Sequence, residues 1–198
     1  MSAQPGPDGR PRCPWALGHP LLLSYHDAEW GAPLRDDRAL FELLLLEGFQ
    51  AGLSWLTILK RREGFRAAFK GFHPEDIATW GQHEAERLLA DPGIIRNRLK
   101  VEAAPANAKA FLKLRESGKS FSEYLWAFVD GRPVVNAWKE MSQVPAVTPL
   151  AEKVSKDMKA KGFRFVGPVS VYAFLQSSGL VNDHLESCFR FAETTGQG

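Results

Sequence analysis

Apolar residues along this chain recur mostly three and four apart, the period of a helix, and nowhere alternate for long enough to read as a sheet. Residues 38–47 follow the capping pair Asp36-Asp37 and are apolar on nearly every side, which predicts a central, buried helix. Gly48 and Gly52 bracket a short break. Residues 54–69 resume the helical period through Trp55, Ile58, Leu59 and Phe65. Pro74 starts another helix, with Glu75 and Asp76 in its first turn. Further helices are predicted over 84–89, over 94–116 with an interruption or kink at Pro105, and over 120–129. Asp130-Gly131-Arg132-Pro133 reads as a turn, and 134–144 as irregular or partly extended. The pattern ends in helices over 149–161, 168–178 and 180–189, the first two stopped by Gly162 and Gly179. Residues 1–11 and 193–198 read as flexible tails around a single all-α domain over 12–190.

Composition adds little to this. The 198 residues are 44% hydrophobic and 24% charged, an ordinary globular balance that can bury a core without disulfides. The apolar run of residues 43–46, like every other in the chain, is far too short for a bilayer, and the polar N-terminus lacks a signal-like stretch, so a cytoplasmic location is expected. A net charge of +2 does not by itself point to nucleic acid. Basic clusters stand at Lys60-Arg61-Arg62, at Arg96, Arg98 and Lys100, and over 153–164; any one of them is most simply a solvated helix face.

Four groups of residues could carry chemistry. His184 and Cys188 are four apart, so on a helix they would share a face and form half of a tetrahedral metal site. Cys13 and His26 could supply the other half, although a lone His-x3-Cys is more often an accident of a core. Glu47 ends an apolar helix against a glycine-flanked bend, either snorkelling to solvent or facing a ligand. Trp15, Tyr25, Trp30, Trp55 and Trp126 could be core, or could in part sandwich a flat cation with a carboxylate at its edge. Gly162-Phe163-Arg164-Phe165-Val166-Gly167 reads as a helix–hairpin–helix turn, either structural or presenting free N–H groups to a DNA phosphate.

Longer stretches carry a resemblance. They are Cys13-Pro14-Trp15, Tyr25-His26-Asp27-Ala28-Glu29-Trp30-Gly31, and Leu46-Glu47-Gly48-Phe49-Gln50-Ala51-Gly52-Leu53-Ser54-Trp55. Gly93-Ile94-Ile95-Arg96-Asn97, the hairpin stretch above, and Gly179-Leu180-Val181-Asn182-Asp183-His184 follow. In identity, order and spacing the chain resembles the 3-methyladenine DNA glycosylase I family from about Arg12 to Cys188. The resemblance implies the helix–hairpin–helix glycosylase fold and one structural zinc on Cys13, His26, His184 and Cys188, joining the N- and C-terminal segments. It also implies a base pocket in which Trp15, Tyr25 and Trp55 enclose the base and Glu47 meets its edge. Leu22 stands where a member of that family has a tyrosine, so fine substrate preference is open.

The expected partner is double-stranded DNA containing 3-methyladenine, bound by a monomer. The base would be flipped out and its N-glycosidic bond hydrolysed, leaving an abasic site. Leu53 is a candidate wedge, though a core leucine is commoner, and Lys161, Arg164, Val166 and Gly167 are candidate backbone contacts. Residues 168–178 offer no lysine for lyase chemistry and no aspartate to activate water. A DNA-binding module without catalysis, or an enzyme acting on a free cationic purine, are the alternatives; the isolated Glu47 argues against the first and the hairpin against the second.

Overall fold

The computed structural model describes residues 1–195 and is predominantly helical. Among the described residues eleven α-helices run in the order α1 (Pro20–Ala28), α2 (Asp37–Gln50), α3 (Trp55–Leu59), α4 (Arg62–Ala68), α5 (Pro74–Ile77) and α6 (Gln82–Ala90). They continue as α7 (Arg98–Glu116), α8 (Phe121–Trp126), α9 (Pro149–Ala160), α10 (Pro168–Ser177) and α11 (Phe189–Glu193). The central element is α2. Asp36 caps it by accepting the Ala39 N–H at 2.8 Å, and eight of its fourteen residues are buried. It packs against α7, α8 and α10, and these contacts make one contiguous apolar core. A smaller cluster of Cys13, Leu185 and Cys188, covered by Trp15, Trp30, Trp138 and Met141, joins the two ends of the chain.

Several expectations need correction. Residues 4–5 pair antiparallel with 11–12 where a flexible tail is expected, and buried Arg12 bridges Asp8 and Asp27. At the other end Thr194 is buried, while 196–198 lie outside the described residues. The 54–69 segment divides into α3 and α4 at Lys60-Arg61, and α7 starts only at Arg98, after the Asn97 cap, then runs through Pro105 without interruption. No helix covers 180–189. There Val181–Asn182 pairs in parallel with Val134–Val135, and residues 183–188 form a turn. Gly179 directs the chain into that path. Its φ is +71°, and a Cβ on it would lie 2.4 Å from the Ala32 carbonyl carbon, so no other residue fits. Among the described residues no helix is long and apolar enough to cross a membrane.

Candidate active site and metal cluster

Several chain segments converge on a cavity of about 410 Å³. The turn after Cys13 brings Trp15, α1 brings Tyr25, the end of α2 brings Glu47, and α3 opens on Trp55. Helix α10 adds Tyr172 and Gln176, four apart and therefore on one side of the helix. The expected base-pocket residues are thus brought together. Trp30 also lines the cavity, whereas Trp126 is core and donates to the Leu34 carbonyl at 2.9 Å. Leu22 is half-buried on α1 and is not among the lining residues.

Glu47 does not snorkel: it is 4% exposed. Burial pushes its carboxyl up to about 8, with the Ser177 hydroxyl pulling the other way. Burial also raises the Tyr25 phenol, and the neighbouring Glu47 carboxylate adds to the effect. The Tyr25 hydroxyl and the Trp55 indole N–H are buried without any hydrogen-bond partner. Orphaned polar groups of this kind are costly inside a protein, and two of them beside a buried carboxyl mark a place built for a polar guest. The two rings stand 5.3 Å apart at 45°.

The sequence reading missed a second carboxylate in the cavity wall, Asp183. One of its oxygens accepts from Asn136 Nδ2 at 2.8 Å and Trp138 Nε1 at 2.7 Å. The other accepts from Gln176 Nε2 at 2.7 Å and from the Tyr172 hydroxyl. These four donors tie the 134–138 segment and α10 to the turn that follows β-paired 181–182. The signal lay in the Asn182-Asp183-His184 stretch, but its donors are too distant in sequence to be read from it.

Beside this cavity, Cys13, His26, His184 and Cys188 are all buried, and their ligand atoms lie within 4.8 Å of one another. Cys188 Sγ is 3.4 Å from His26 Nε2 and 3.7 Å from His184 Nδ1, and Cys13 Sγ is 3.8 Å from the latter. Those are the edges of a tetrahedron with metal–ligand bonds of about 2.0–2.3 Å. Both imidazoles are oriented from behind. His26 Nδ1 donates to Asp27 at 2.8 Å, and His184 Nε2 donates to the Trp30 carbonyl at 3.0 Å, leaving the opposite nitrogens aimed inward. The donor set fits one tetrahedral metal ion. The His184–Cys188 proximity comes from the 183–188 turn and not from a helix face. Trp15 packs edge-on against both His26 and Trp30, so the cluster also supports one wall of the cavity.

The α9–α10 hairpin touches the last turn of α2, where a Cβ at Gly48 would lie 3.4 Å from Phe165 Cβ. Gly162 takes φ +95° and Phe165 φ +56°, and α10 then starts at Pro168 with no side chain capping its N-terminus. Arg164 is exposed, but the Val166 side chain is buried and its carbonyl accepts from Ser155 Oγ at 2.6 Å. Lys161 faces away, toward Asp157 and the Tyr124 ring; Lys159 lines the hairpin concavity in its place. Leu53 is 42% exposed at the bend after α2, next to Gln50 of the cavity wall.

Known proteins share this fold and much of this sequence. The methyladenine glycosylase family model matches residues 15–191. The chain is similar to DNA-3-methyladenine glycosylase 1 of Escherichia coli K12, with 45% identity over 89% of this chain and 95% of that protein. It is similar to the DNA-3-methyladenine glycosylase of Haemophilus influenzae at 45% identity, over 89% and 96% of the two chains. Among solved structures, a 3-methyladenine DNA glycosylase I superposes with TM-score 0.88 at 47% identity, covering 90% of this chain and 98% of that one. The Staphylococcus aureus enzyme, solved for its recognition of 3-methyladenine, superposes with TM-score 0.88 at 42% identity, over 91% and 96%. A family match across this length, with relatives far above the threshold of chance similarity, has one reading: the chain belongs to the methyladenine glycosylase family.

Proposed function

We propose that this protein is a monofunctional, monomeric glycosylase that hydrolyses the N-glycosidic bond of 3-methyladenine in duplex DNA. The observation that carries this reading is the buried Glu47 carboxyl in an aromatic cavity, beside the unpartnered Tyr25 hydroxyl and Trp55 N–H. 3-Methyladenine in DNA carries a positive charge on the base. A cationic ring stacked on Trp55 and enclosed by Trp15 and Tyr25 gains cation–π stabilisation that neutral adenine does not. Glu47 accepts from the exocyclic amine and complements the charge. Water oxygen bonds to the sugar C1′ as the C1′–N bond breaks; the bond's electrons neutralise the departing base, and the water proton passes to solvent. A base that leaves as a neutral molecule needs little acid catalysis. The ten residues of α10 hold no lysine for a Schiff base, so the product is an abasic site.

The α9–α10 unit acts as a helix–hairpin–helix. Its uncapped α10 N-terminus and Arg164 hold a backbone phosphate, and Leu53 fills the gap left by the flipped nucleotide. Zinc at the four-residue cluster supplies a structural crosslink and no chemistry, because four protein ligands leave no open position. Incubation with methylated duplex DNA, followed by chromatography, tests the reaction: 3-methyladenine is released and the strand stays intact until alkali is added. Release of no base, or strand nicking without alkali, would overturn it.

The hairpin has its own test. A Cβ on Gly167 meets no atom within 4 Å, so Gly167→Val fits the fold but crowds the helix start. Affinity for duplex DNA falls by about tenfold, the equivalent of one charge-assisted hydrogen bond. Binding of free 3-methyladenine, followed by tryptophan fluorescence, survives; equal loss of both means misfolding and removes the support for the hairpin's role.

A further inference from the structure

Helix α7 buries two polar side chains that the proposed chemistry does not use. Lys100, in its first turn, donates from its ammonium to the Phe49 carbonyl at 2.9 Å and the Ala51 carbonyl at 2.6 Å. Asn107 accepts from the Arg164 N–H at 2.6 Å and donates to the Arg164 carbonyl at 3.2 Å, as a neighbouring strand would. Seven residues make nearly two helical turns, so the two side chains share one face about 10 Å apart along the axis. Neither lines the cavity.

Their partners are the two elements assigned to DNA. Lys100 satisfies carbonyls at the C-terminal end of α2, where the chain turns through Gly52 (φ +82°) to exposed Leu53. Asn107 holds the backbone of the hairpin turn. A third contact closes the triangle: a Cβ at Gly48 would lie 3.4 Å from Phe165 Cβ, so α2 and the hairpin already touch beside Glu47. An ammonium is a costly thing to bury, and an apolar side chain of the same length would fill this place more cheaply. Its retention points to a need for the specific carbonyl geometry that it enforces.

We propose that Lys100 and Asn107 are positioning residues: α7 acts as a ruler that fixes the distance between the wedge at Leu53 and the phosphate grip at the hairpin. The proposal rests on the assignment of those two elements given above. Base flipping needs both to engage one duplex at once, and small errors of placement are expensive in rate.

The test uses the full chain and a duplex carrying a tetrahydrofuran abasic analogue beside 2-aminopurine, whose fluorescence rises when it is unstacked. Lys100→Met lowers the fluorescence gain at saturating protein by at least about half while keeping free 3-methyladenine binding within about twofold, since surface and packing away from the pocket are unchanged. Asn107→Ala weakens duplex binding about fivefold, the worth of one neutral hydrogen bond, again with free-base binding kept. Should Asn107→Ala not fold, Asn107→Asp, which keeps the acceptor for the Arg164 N–H and loses the donor, carries the same comparison. Equal losses in duplex and free-base binding, or no loss in either, overturn the proposal. Leu53→Ala separates it from the wedge assignment. A silent Leu53→Ala beside a defective Lys100→Met sinks the wedge assignment, and the ruler that ends on it falls with it. A defective Leu53→Ala beside silent Lys100 and Asn107 variants sinks the ruler.

Discussion

Glu47→Gln lowers single-turnover release of 3-methyladenine by at least about tenfold, since a hydrogen bond to a charged group contributes roughly 1.5–3 kcal/mol and 1.36 kcal/mol is a decade of rate. The amide keeps the shape of the carboxyl and loses its charge. Binding to an abasic-site duplex is nearly unchanged, because that ligand has no base to meet Glu47. The pH dependence is a sharper readout. With its carboxyl raised to about 8 by burial, Glu47 in the free enzyme holds its proton through neutral pH, and the cationic base draws that proton off. The kcat/KM profile therefore rises with pH through an apparent value near 8, and Glu47→Gln flattens it. Stability moves the opposite way. The folded-state value lies above the ordinary 4.5, so the folded chain holds a proton that the unfolded chain releases. That contribution is complete below about pH 4.5 and is lost as pH rises to about 8; the glutamine variant lacks this slope. Wild-type release rates together with an unaltered melting curve would make Glu47 a bystander.

Removing the metal produces the largest effect on stability. Cys13 and His184 stand 171 residues apart, so a crosslink there closes most of the chain into one loop. Structural zinc in small domains contributes roughly 10–16 kcal/mol. A loss of only about 4 kcal/mol lowers Tm by about 10 °C in a chain of this size. Cys188→Ser, or a strong chelator, brings that drop, and elemental analysis of the untreated protein finds about one zinc per chain. The activity of the fraction that stays folded changes less than the Tm. A protein free of metal that melts as the wild type does would end this assignment.

Most of the helical frame was legible because its signals are local. The apolar run and the Asp36 cap define α2, and Pro168 with Gly179 brackets α10. The exception is instructive. Leu180, Val181, His184, Leu185 and Cys188 recur with a helical period, yet the segment is not a helix. It is held by pairing to residues 134–135 and by the thiol–imidazole cluster, partners that no local window contains. The site divides the same way. Glu47, Tyr25, Trp15 and Trp55 stand in long matched stretches and all reach the cavity. Asp183 and its four donors were invisible because they come from three separate segments. Two residues at a helix end differ by more than half a turn in direction, so only the packed structure fixes that Lys159 and not Lys161 lines the hairpin concavity.

The four-residue cluster also imposes an order on biosynthesis. His26 and His184 are 158 residues apart, so the half-site of Cys13 and His26 must wait while the chain between them is made. At about 5–20 residues per second that delay is roughly 10–30 s. Trp15 and Tyr25 flank those early ligands, so the pocket walls they form stay unassembled through the same interval. With zinc bound as proposed, metal capture is the closing event of folding. A nascent chain halted shortly before His184 carries Glu47, Trp55 and the whole hairpin, and still lacks the clasp that brings its first segment home.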